Sequence, residues 1–396
     1  MSNIMIITQS LTGGGAEKLA ANLSLELSKN NVVTVVTFRE DISEFEYAGC
    51  RINLNLPGGQ GGFLSQIYTA LLRILNTKKI KRDRNIDCSI SFLPQTDYVN
   101  VLSKRKKEKT IINVVSNMSY VYPAGLKKTF RQLVIKLSDF VITVSEGVRQ
   151  DLIDHFNLQA SGSKTIYNSC DLHAIKLDCI AGTEFERLCE ELPDRFICSM
   201  GSFRLAKGHW HLIKAFSTIS DSIPDYKLVI LGDGPYREKY LDLINILRLK
   251  ERIILPGFAN PPYSIICKSK LFVFSSIYEG FGNSIIEAMA CGVPILSTDC
   301  DYGAREILSP NSNFKIKAND IEESDYGFLL PPFSTEDIDV SEFVSKNEIL
   351  MGKAILEVLS RDNKELIARA LKYVEIFDNV NYGNAWKDVI RRVLNE

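Results

Sequence analysis

Several things are missing from this sequence, and each absence removes a class of protein. No stretch of its 396 residues is long and apolar enough to cross a bilayer as a helix. The run Ile4 to Ile7 is short and no basic residue precedes it, so no secretory signal peptide is expected. The cysteines number nine, an odd count, and none forms a C-x-x-C pair, which argues against a disulfide framework and for a reducing, cytoplasmic setting. Histidine is scarce, with four residues. The close pair, His209 and His211, stands at i, i+2; on a helix such side chains diverge, so no zinc site is expected there. There is no repeat of solenoid period and no low-complexity tract.

What is present is an ordinary globular composition, 45% hydrophobic and 24% charged, with length for two domains. The net charge of −1 is unevenly spread: residues 1–172 carry 21 basic and 15 acidic residues, the remainder 26 and 33. The two halves therefore face different partners.

The most informative stretch is Ser275 to Gly292. The apolar run Leu271 to Phe274 before it reads as a buried strand. A loop with two glycines follows, then Ile285, Ile286, Ala288, Met289 and Ala290 read as a buried helix ended by Gly292. A strand, Gly loop and helix in that order point free N–H groups and a positive dipole end at a ligand, and an anion fits. Gly280 and Gly282 allow close backbone approach. Two carboxylates frame the loop, Glu279 before it and Glu287 one turn into the helix. Carboxylates repel phosphate but accept hydrogen bonds from hydroxyls. A nucleotide sugar satisfies both demands, with Glu279 on the sugar and Glu287 on the ribose. Ser284-x-x-Glu287 also spells a capping box, which by itself would account for Glu287.

The string from Glu279 to Pro294, E-G-F-G-N-x3-E-A-M-A-C-G-V-P, resembles the E-x7-E signature of retaining GT-B glycosyltransferases, the large glycogen-synthase-like family four. The resemblance implies an α/β fold of two Rossmann-like domains facing a cleft. It implies sugar transfer from a nucleotide diphosphate donor, UDP by prevalence, with retention at the anomeric carbon, no metal and no cofactor beyond the substrate itself. The run Asp299 to Leu308 matches the family after that helix, with Gly303 and Glu306 in register. The Asp299-x-Asp301 spacing is accordingly not read as a metal site.

The second half opens with a strand at Arg195 to Met200 and a loop, Gly201 to Gly208, before a helix near His209. The family pattern there is G-R-x4-K-G. Lys207 and Gly208 match it, Ser202 stands where the arginine should be, and Arg204 lies two residues on. On this resemblance Glu279 and Lys207 are the catalytic candidates. Donor binding falls to Ser202, Arg204, Gly232, Phe258, Gly280, Phe281, Gly282, Asn283, Ser284 and Glu287. Gly232 closes the strand Lys227 to Leu231, and Phe258 follows Pro256-Gly257 as a base-stacking candidate or a core aromatic. Residues 312–347 read as acidic, irregular surface.

The first half opens with a strand at Ile4 to Thr8, the Gly-rich loop Leu11 to Glu17, a helix, and a strand at Val32 to Phe38. Lys18 stands where a dinucleotide fingerprint needs its third glycine. The matching family loop lies on the acceptor side, so Gly14, Gly15 and Glu17 are acceptor-side candidates; a tight turn with a solvated Glu17 is the bland alternative. Further strands are expected at Ile86 to Phe92, Thr110 to Val115, Phe140 to Val144 and Thr165 to Tyr167. Asn117 joins the acceptor side where many relatives carry histidine. The domain boundaries are read as 1–172 and 190–377, with a linker at 172–192 where Ile180-Ala181-Gly182-Thr183 interrupts the pattern, and a terminal helix over 378–396 packing back on the first domain.

Basic clusters recur at Lys78 to Arg84, Lys104 to Lys109 and Lys127 to Arg131. Their default reading is a solvated face; the functional one is attraction to anionic lipid headgroups at the inner membrane face or to a lipid-linked acceptor. Nucleic acid is not expected, since no binding module accompanies them. The apolar stripe Leu64, Ile67, Leu71, Leu72 and Leu75 is read as core packing. The expected partners are thus a nucleotide sugar and a glycan or lipid-linked acceptor, with peripheral contact to an anionic membrane surface. The rival readings are a non-catalytic subunit that binds a nucleotide sugar or glycan, and a sugar-nucleotide epimerase on the same fold.

Overall fold

The computed structural model of the chain describes residues 1–39, 45–58, 62–181, 192–334, 340–341 and 343–395. The chain divides into two compact units, one formed by Met1–Ser169 with Phe377–Glu396, the other by Cys170–Ile376. Of the interruption expected in the linker, Ile180 and Ala181 instead end the helix Leu172–Ala181, while Gly182 and Thr183 lie outside the described residues.

In the first unit the order is β1 (Asn3–Thr8), α1 (Gly15–Ser28), β2 (Val32–Thr37), β3 (Cys50–Asn53), α2 (Phe63–Asp83), β4 (Cys88–Phe92), α3 (Pro94–Leu102), β5 (Lys109–Val114), α4 (Met118–Val121), α5 (Leu126–Leu137), β6 (Phe140–Thr143), α6 (Glu146–Phe156) and β7 (Ser163–Thr165). The seven strands form one parallel sheet, β3-β2-β1-β4-β5-β6-β7. Its central strands are buried on both faces, which is why they read as unbroken apolar runs. The helix Asn379–Asn395 completes this unit. Trp386 is fully buried near Phe92, and Tyr382, Val389, Ile390 and Val393 join the same core. Asn379 accepts hydrogen bonds from Asn22 and Ser169.

The second unit starts with α7 (Leu172–Ala181) and holds the sheet β10-β9-β8-β11-β12-β14-β13. Its strands are β8 (Phe196–Met200), β9 (Lys227–Leu231), β10 (Ile253–Gly257), β11 (Leu271–Phe274), β12 (Ile295–Thr298), β13 (Glu322–Glu323) and β14 (Phe328–Leu330). All pairings are parallel except β13 with β14. Both sheets reverse direction next to their first strand, at β1/β4 and β8/β11, and open α/β sheets hold ligands at the carboxyl ends of such a reversal.

Some sequence expectations are corrected here. β3 was not anticipated, because Cys50 to Asn53 is short, polar and only half-buried. Residues 312–347 are not all irregular surface: Phe328 to Leu330 is a buried strand paired to β12, too short a run to stand out. The strand expected at Thr165 to Tyr167 lies at Ser163–Thr165. The basic clusters are not uniformly solvated. Lys81 is fully buried and pairs with Glu108 at 2.6 Å, while Arg131 is buried against Asp97 at 2.7 Å. Unpaired, either charge would be too costly to bury, so each lies beside its carboxylate. The stripe on α2 is not core packing, since Leu64, Ile67, Leu71 and Leu75 are exposed. Among the described residues, no helix is long and apolar enough to cross a membrane.

Candidate functional site

Two loops meet at the carboxyl ends of β8 and β11. The first runs from Gly201 to Gly208 into the helix His209–Ser217; the second runs from Ser275 to Gly282 into the helix Asn283–Ala290. They are fastened by one main-chain and one side-chain bond: Ile277 N–H donates to the Ala206 carbonyl at 2.8 Å, and Ser275 Oγ donates to the Lys207 carbonyl at 3.0 Å. Gly208 makes this possible. Its φ is +56°, and a Cβ there would overlap the Ser275 carbonyl.

The fastening sets Lys207 against Glu279. Lys207 Nζ donates to Glu279 Oε1 at 2.5 Å, with side chains 23% and 15% exposed. Ser276 Oγ donates to the same oxygen at 2.8 Å. The main chain of Glu279 is held on both sides, its N–H donating to Asp301 O at 2.5 Å and its carbonyl accepting from Tyr302 N–H at 3.1 Å. Sequence reading had no signal for Ser276 beyond its place in the loop, yet it orients the carboxylate.

The strap behind this pair is itself anchored by charge. Asp299 is fully buried and accepts from Arg305 Nε at 2.8 Å and from Ala318 N–H at 2.7 Å. Arg305 forms two parallel hydrogen bonds with Glu322, both 2.8 Å, and they hold the Glu322 carboxyl below its ordinary range. Asp301 is paired with Lys317 at 2.7 Å. Removing one partner from such a buried pair is costly. Arg305→Met is therefore expected to lower unfolding free energy by about 3–5 kcal/mol in chemical denaturation.

The helix Asn283–Ala290 starts at Gly282, whose φ of +106° turns the chain. The capping-box reading fails: Gly282 occupies the cap position, no side chain caps it, and Ser284 sits two residues too far along. The Ser284 hydroxyl is instead buried with no hydrogen-bond partner. Glu287 accepts from the Tyr263 hydroxyl at 3.0 Å, a partner 24 residues away that sequence reading missed. Phe281 is 2% exposed, so its ring belongs to the interior. Gly280 and Asn283 belong to the same turn.

The remaining candidates distribute around these loops. Ser202 and Arg204 are exposed on the first loop. Gly232 has a φ of +142° and donates its N–H to the Gly257 carbonyl at 2.8 Å, joining the ends of β9 and β10. Phe258, just beyond, is 65% exposed, which removes the core-aromatic reading. His209 is buried against Phe203 and Tyr240, and burial pushes its pKa down to about 3; His211 pairs with Glu348.

In the other unit, Gly14 caps α1 and Gly15 begins it. Glu17 folds back over Gly14 and is 9% exposed, so the solvated-turn reading does not hold; burial raises its pKa, opposed by a hydrogen bond from its own main chain and by Arg39. The Asn117 side chain caps α4, accepting from Tyr120 N–H at 3.3 Å.

Comparison with known proteins agrees with the geometry. Residues 183–326 match the family described as Glycosyl transferases group 1, and residues 13–174 match Glycosyltransferase Family 4. The chain is 31% identical over 319 residues to the N-acetylgalactosamine-N,N'-diacetylbacillosaminyl-diphospho-undecaprenol 4-alpha-N-acetylgalactosaminyltransferase of Campylobacter jejuni, covering 78% of this chain and 84% of that one. Its fold is similar to that of HepE from Anabaena, solved in complex with UDP and glucose, with a TM-score of 0.72 at 18% identity over 98% of this chain and 99% of the other. It is also similar to sucrose-phosphate synthase from Thermosynechococcus elongatus, with a TM-score of 0.77 at 18% identity over the full length of both. With one such relative aligned over most of both chains, and with two Rossmann-like domains of the shared fold, the chain belongs to the group 1 glycosyltransferases of the GT-B type.

Proposed function

We propose that this glycosyltransferase moves a hexosyl or N-acetylhexosaminyl group from a UDP-sugar to a glycan or lipid-linked saccharide in cell-surface polysaccharide synthesis, with retention at the anomeric carbon and without a metal. The observation that carries the reading is the Lys207–Glu279 pair, held at a sheet reversal and close in sequence to the N-terminus of the helix Asn283–Ala290. UDP is favoured because HepE was solved with it.

The chemistry follows from charge. The diphosphate lies on the N–H groups at Gly282, Asn283 and Ser284, and the buried Ser284 hydroxyl supplies a further donor. Lys207 turns from Glu279 to the phosphates and neutralises the charge that grows as the glycosidic bond lengthens. Glu279 accepts hydrogen bonds from the sugar hydroxyls and orients the anomeric carbon. Glu287 does the same for the ribose, with Tyr263 fixing it, and Phe258 offers its face to the base. The acceptor hydroxyl attacks from the face the diphosphate leaves. Its oxygen bonds to the anomeric carbon, the carbon–phosphate-oxygen bond breaks, and the proton passes to the departing phosphate oxygen, so no protein base is required.

Ser284→Ala separates binding from folding. An unpartnered buried hydroxyl costs the free protein, so the variant is expected to be as stable as the parent or about 1 kcal/mol more stable. Its affinity for UDP should drop by roughly threefold to tenfold, read by calorimetry, since a net hydrogen bond is worth about 0.5–1.5 kcal/mol. For the reading as a whole, the decisive experiment is a thermal-stabilisation screen of nucleotide sugars. UDP release with and without a glycan acceptor follows, and then the anomeric configuration of the product. Release without transfer to any acceptor points to the epimerase or a hydrolase, and a chain inert to every nucleotide sugar points to a non-catalytic subunit.

A further inference from the structure

The first unit holds a cavity of about 660 Å³ that the donor chemistry does not use. It is walled by α2, α3 and α5, through Arg73, Tyr98, Tyr122, Lys127, Phe130 and Arg131 among others. Arg131 is the key to it. Its side chain is 4% exposed, and one nitrogen, Nη1, donates to Asp97 at 2.7 Å. Its Nε and Nη2 are buried and make no hydrogen bond. Two N–H groups on one edge of a guanidinium form a fork matched to two oxygens of one phosphate or carboxylate. Leaving them unsatisfied in a folded protein costs roughly as much as a lost charged hydrogen bond, so a ligand for them is expected.

The other cavity charges have the same sign. Arg73 is buried and donates from Nε and Nη2 to the Leu56 carbonyl, and Lys127 stands exposed at the rim. Asp97, committed to Arg131 and to Ser91, lies behind Arg131. The cavity is thus cationic, with its neutralising carboxylate spent.

The rim is apolar in a way that solvent does not explain. On α2, Leu64, Ile67, Leu71 and Leu75 follow the spacing i, i+3, i+7, i+11 and are 80%, 42%, 53% and 62% exposed. On α5, Leu126, Phe130, Leu133 and Leu137 follow i, i+4, i+7, i+11 and are 89%, 47%, 47% and 45% exposed. Each helix therefore turns an apolar stripe outward, and helices α2 and α5 both contribute walls to the cavity. A cationic floor that holds one anion, flanked by two hydrocarbon-binding stripes, is complementary to an amphiphile with a phosphate head and a long chain.

We infer that this cavity binds the phosphate end of a single-chain lipid phosphate or diphosphate, the head on the Arg131 fork and the chain along the stripes of α2 and α5. Arg131 is buried and the apolar stripes are confined to two of the helices that wall its cavity, so the head is taken with one chain beside it, and phosphatidylglycerol stands as the two-chain competitor in the test. The inference deepens the transferase reading only in naming that lipid as the anchor of the acceptor; binding itself does not depend on it.

The test is calorimetric titration of the full chain with farnesyl diphosphate, inorganic pyrophosphate and farnesol, and flotation with phosphatidylcholine vesicles with or without phosphatidylglycerol. Farnesyl diphosphate is expected to saturate one site, with affinity about tenfold or more above either fragment. The double variant Asp97→Asn with Arg131→Met, which removes the buried pair together and leaves no stranded charge, should abolish that binding; Leu64→Ser with Leu71→Ser should weaken it and leave pyrophosphate unchanged. UDP-induced stabilisation, read in the same samples, reports that the variants are folded. Equal affinity for pyrophosphate and farnesyl diphosphate means a plain ion site and overturns the proposal. So does undiminished farnesyl diphosphate binding by the double variant, or binding to phosphatidylglycerol vesicles with none to farnesyl diphosphate. A chain stabilised by UDP that ignores farnesyl diphosphate sinks this inference alone; one that binds farnesyl diphosphate and no nucleotide sinks the transferase reading alone.

Discussion

Glu279→Gln is expected to lower sugar transfer by about 10²–10³-fold while the protein stays folded and still binds UDP, because removal of one preorganised electrostatic partner costs about 2.7–4 kcal/mol in the transition state. The substitution keeps the shape of the side chain and removes its charge. Ser276 can still donate to the amide oxygen, so the side chain stays in place. What is lost is a charged acceptor for the sugar hydroxyls as the anomeric centre becomes positive. The variant also releases Lys207 from its 2.5 Å partner. Lys207 then no longer has to leave one anion for another, so UDP affinity should hold or rise. Turnover and UDP affinity therefore move apart, a split that a merely damaged fold would not produce.

Lys207→Met is expected to lower binding and turnover together. It should weaken UDP binding by about tenfold to a hundredfold, since hydrogen bonds to charged groups are worth about 1.5–3 kcal/mol. It should also lower transfer by about 10²-fold or more, because charge on the departing diphosphate peaks in the transition state. The methionine stem fills the space the lysine carbons take beside Gly201. Glu279 keeps the Ser276 hydroxyl, so the site is not stripped of order. The two variants together make a clean comparison by steady-state kinetics and calorimetry. Wild-type turnover in both would remove the catalytic assignment altogether.

These expectations also bear on Ser202, which stands where the family pattern has an arginine. Ser202 and Arg204 are both exposed on the first loop. Lys207 is the loop's cation that touches Glu279, which is why the larger effect is assigned to it and not to Arg204.

Much of the second unit was legible in the sequence. The run Leu271 to Phe274, the glycines at 280 and 282 and the apolar spacing from Ile285 to Met289 each encode a local geometry, and local geometry is what propensity and periodicity report. Two separate family patterns then offered Glu279 and Lys207, 72 residues apart, as candidates for one site. Short elements were not legible. β3 and β14 have three or four residues each, too few for a period to emerge, and their pairing energy comes from neighbours distant in sequence.

The capping box is the clearest case of a local pattern overruled. Ser284 and Glu287 have the right spacing, but Gly282 with its positive φ ends the loop two residues earlier, and the helix starts there. That shift leaves the Ser284 hydroxyl without a partner and gives Glu287 to Tyr263. The stripe on α2 failed in the opposite direction: its periodicity announces an amphipathic helix and says nothing about which face meets the core. Arg73, Thr77 and Lys81 are buried while the leucines at 64, 71 and 75 are exposed, an orientation set by Glu108, Asn100 and the Leu56 carbonyl.

The sequence by itself determined the fold class, the family and the choice of a loop lysine and a loop carboxylate as candidates, because these rest on short-range spacing and on glycines whose backbone freedom no other residue supplies; that the two side chains touch was decided by the fold. Tertiary structure alone decided which polar groups are left wanting a partner. Whether the Arg131 fork or the Ser284 hydroxyl is satisfied depends on atoms brought from elsewhere in the chain, and burial, which sets the cost of leaving them unsatisfied, exists only once the chain has folded.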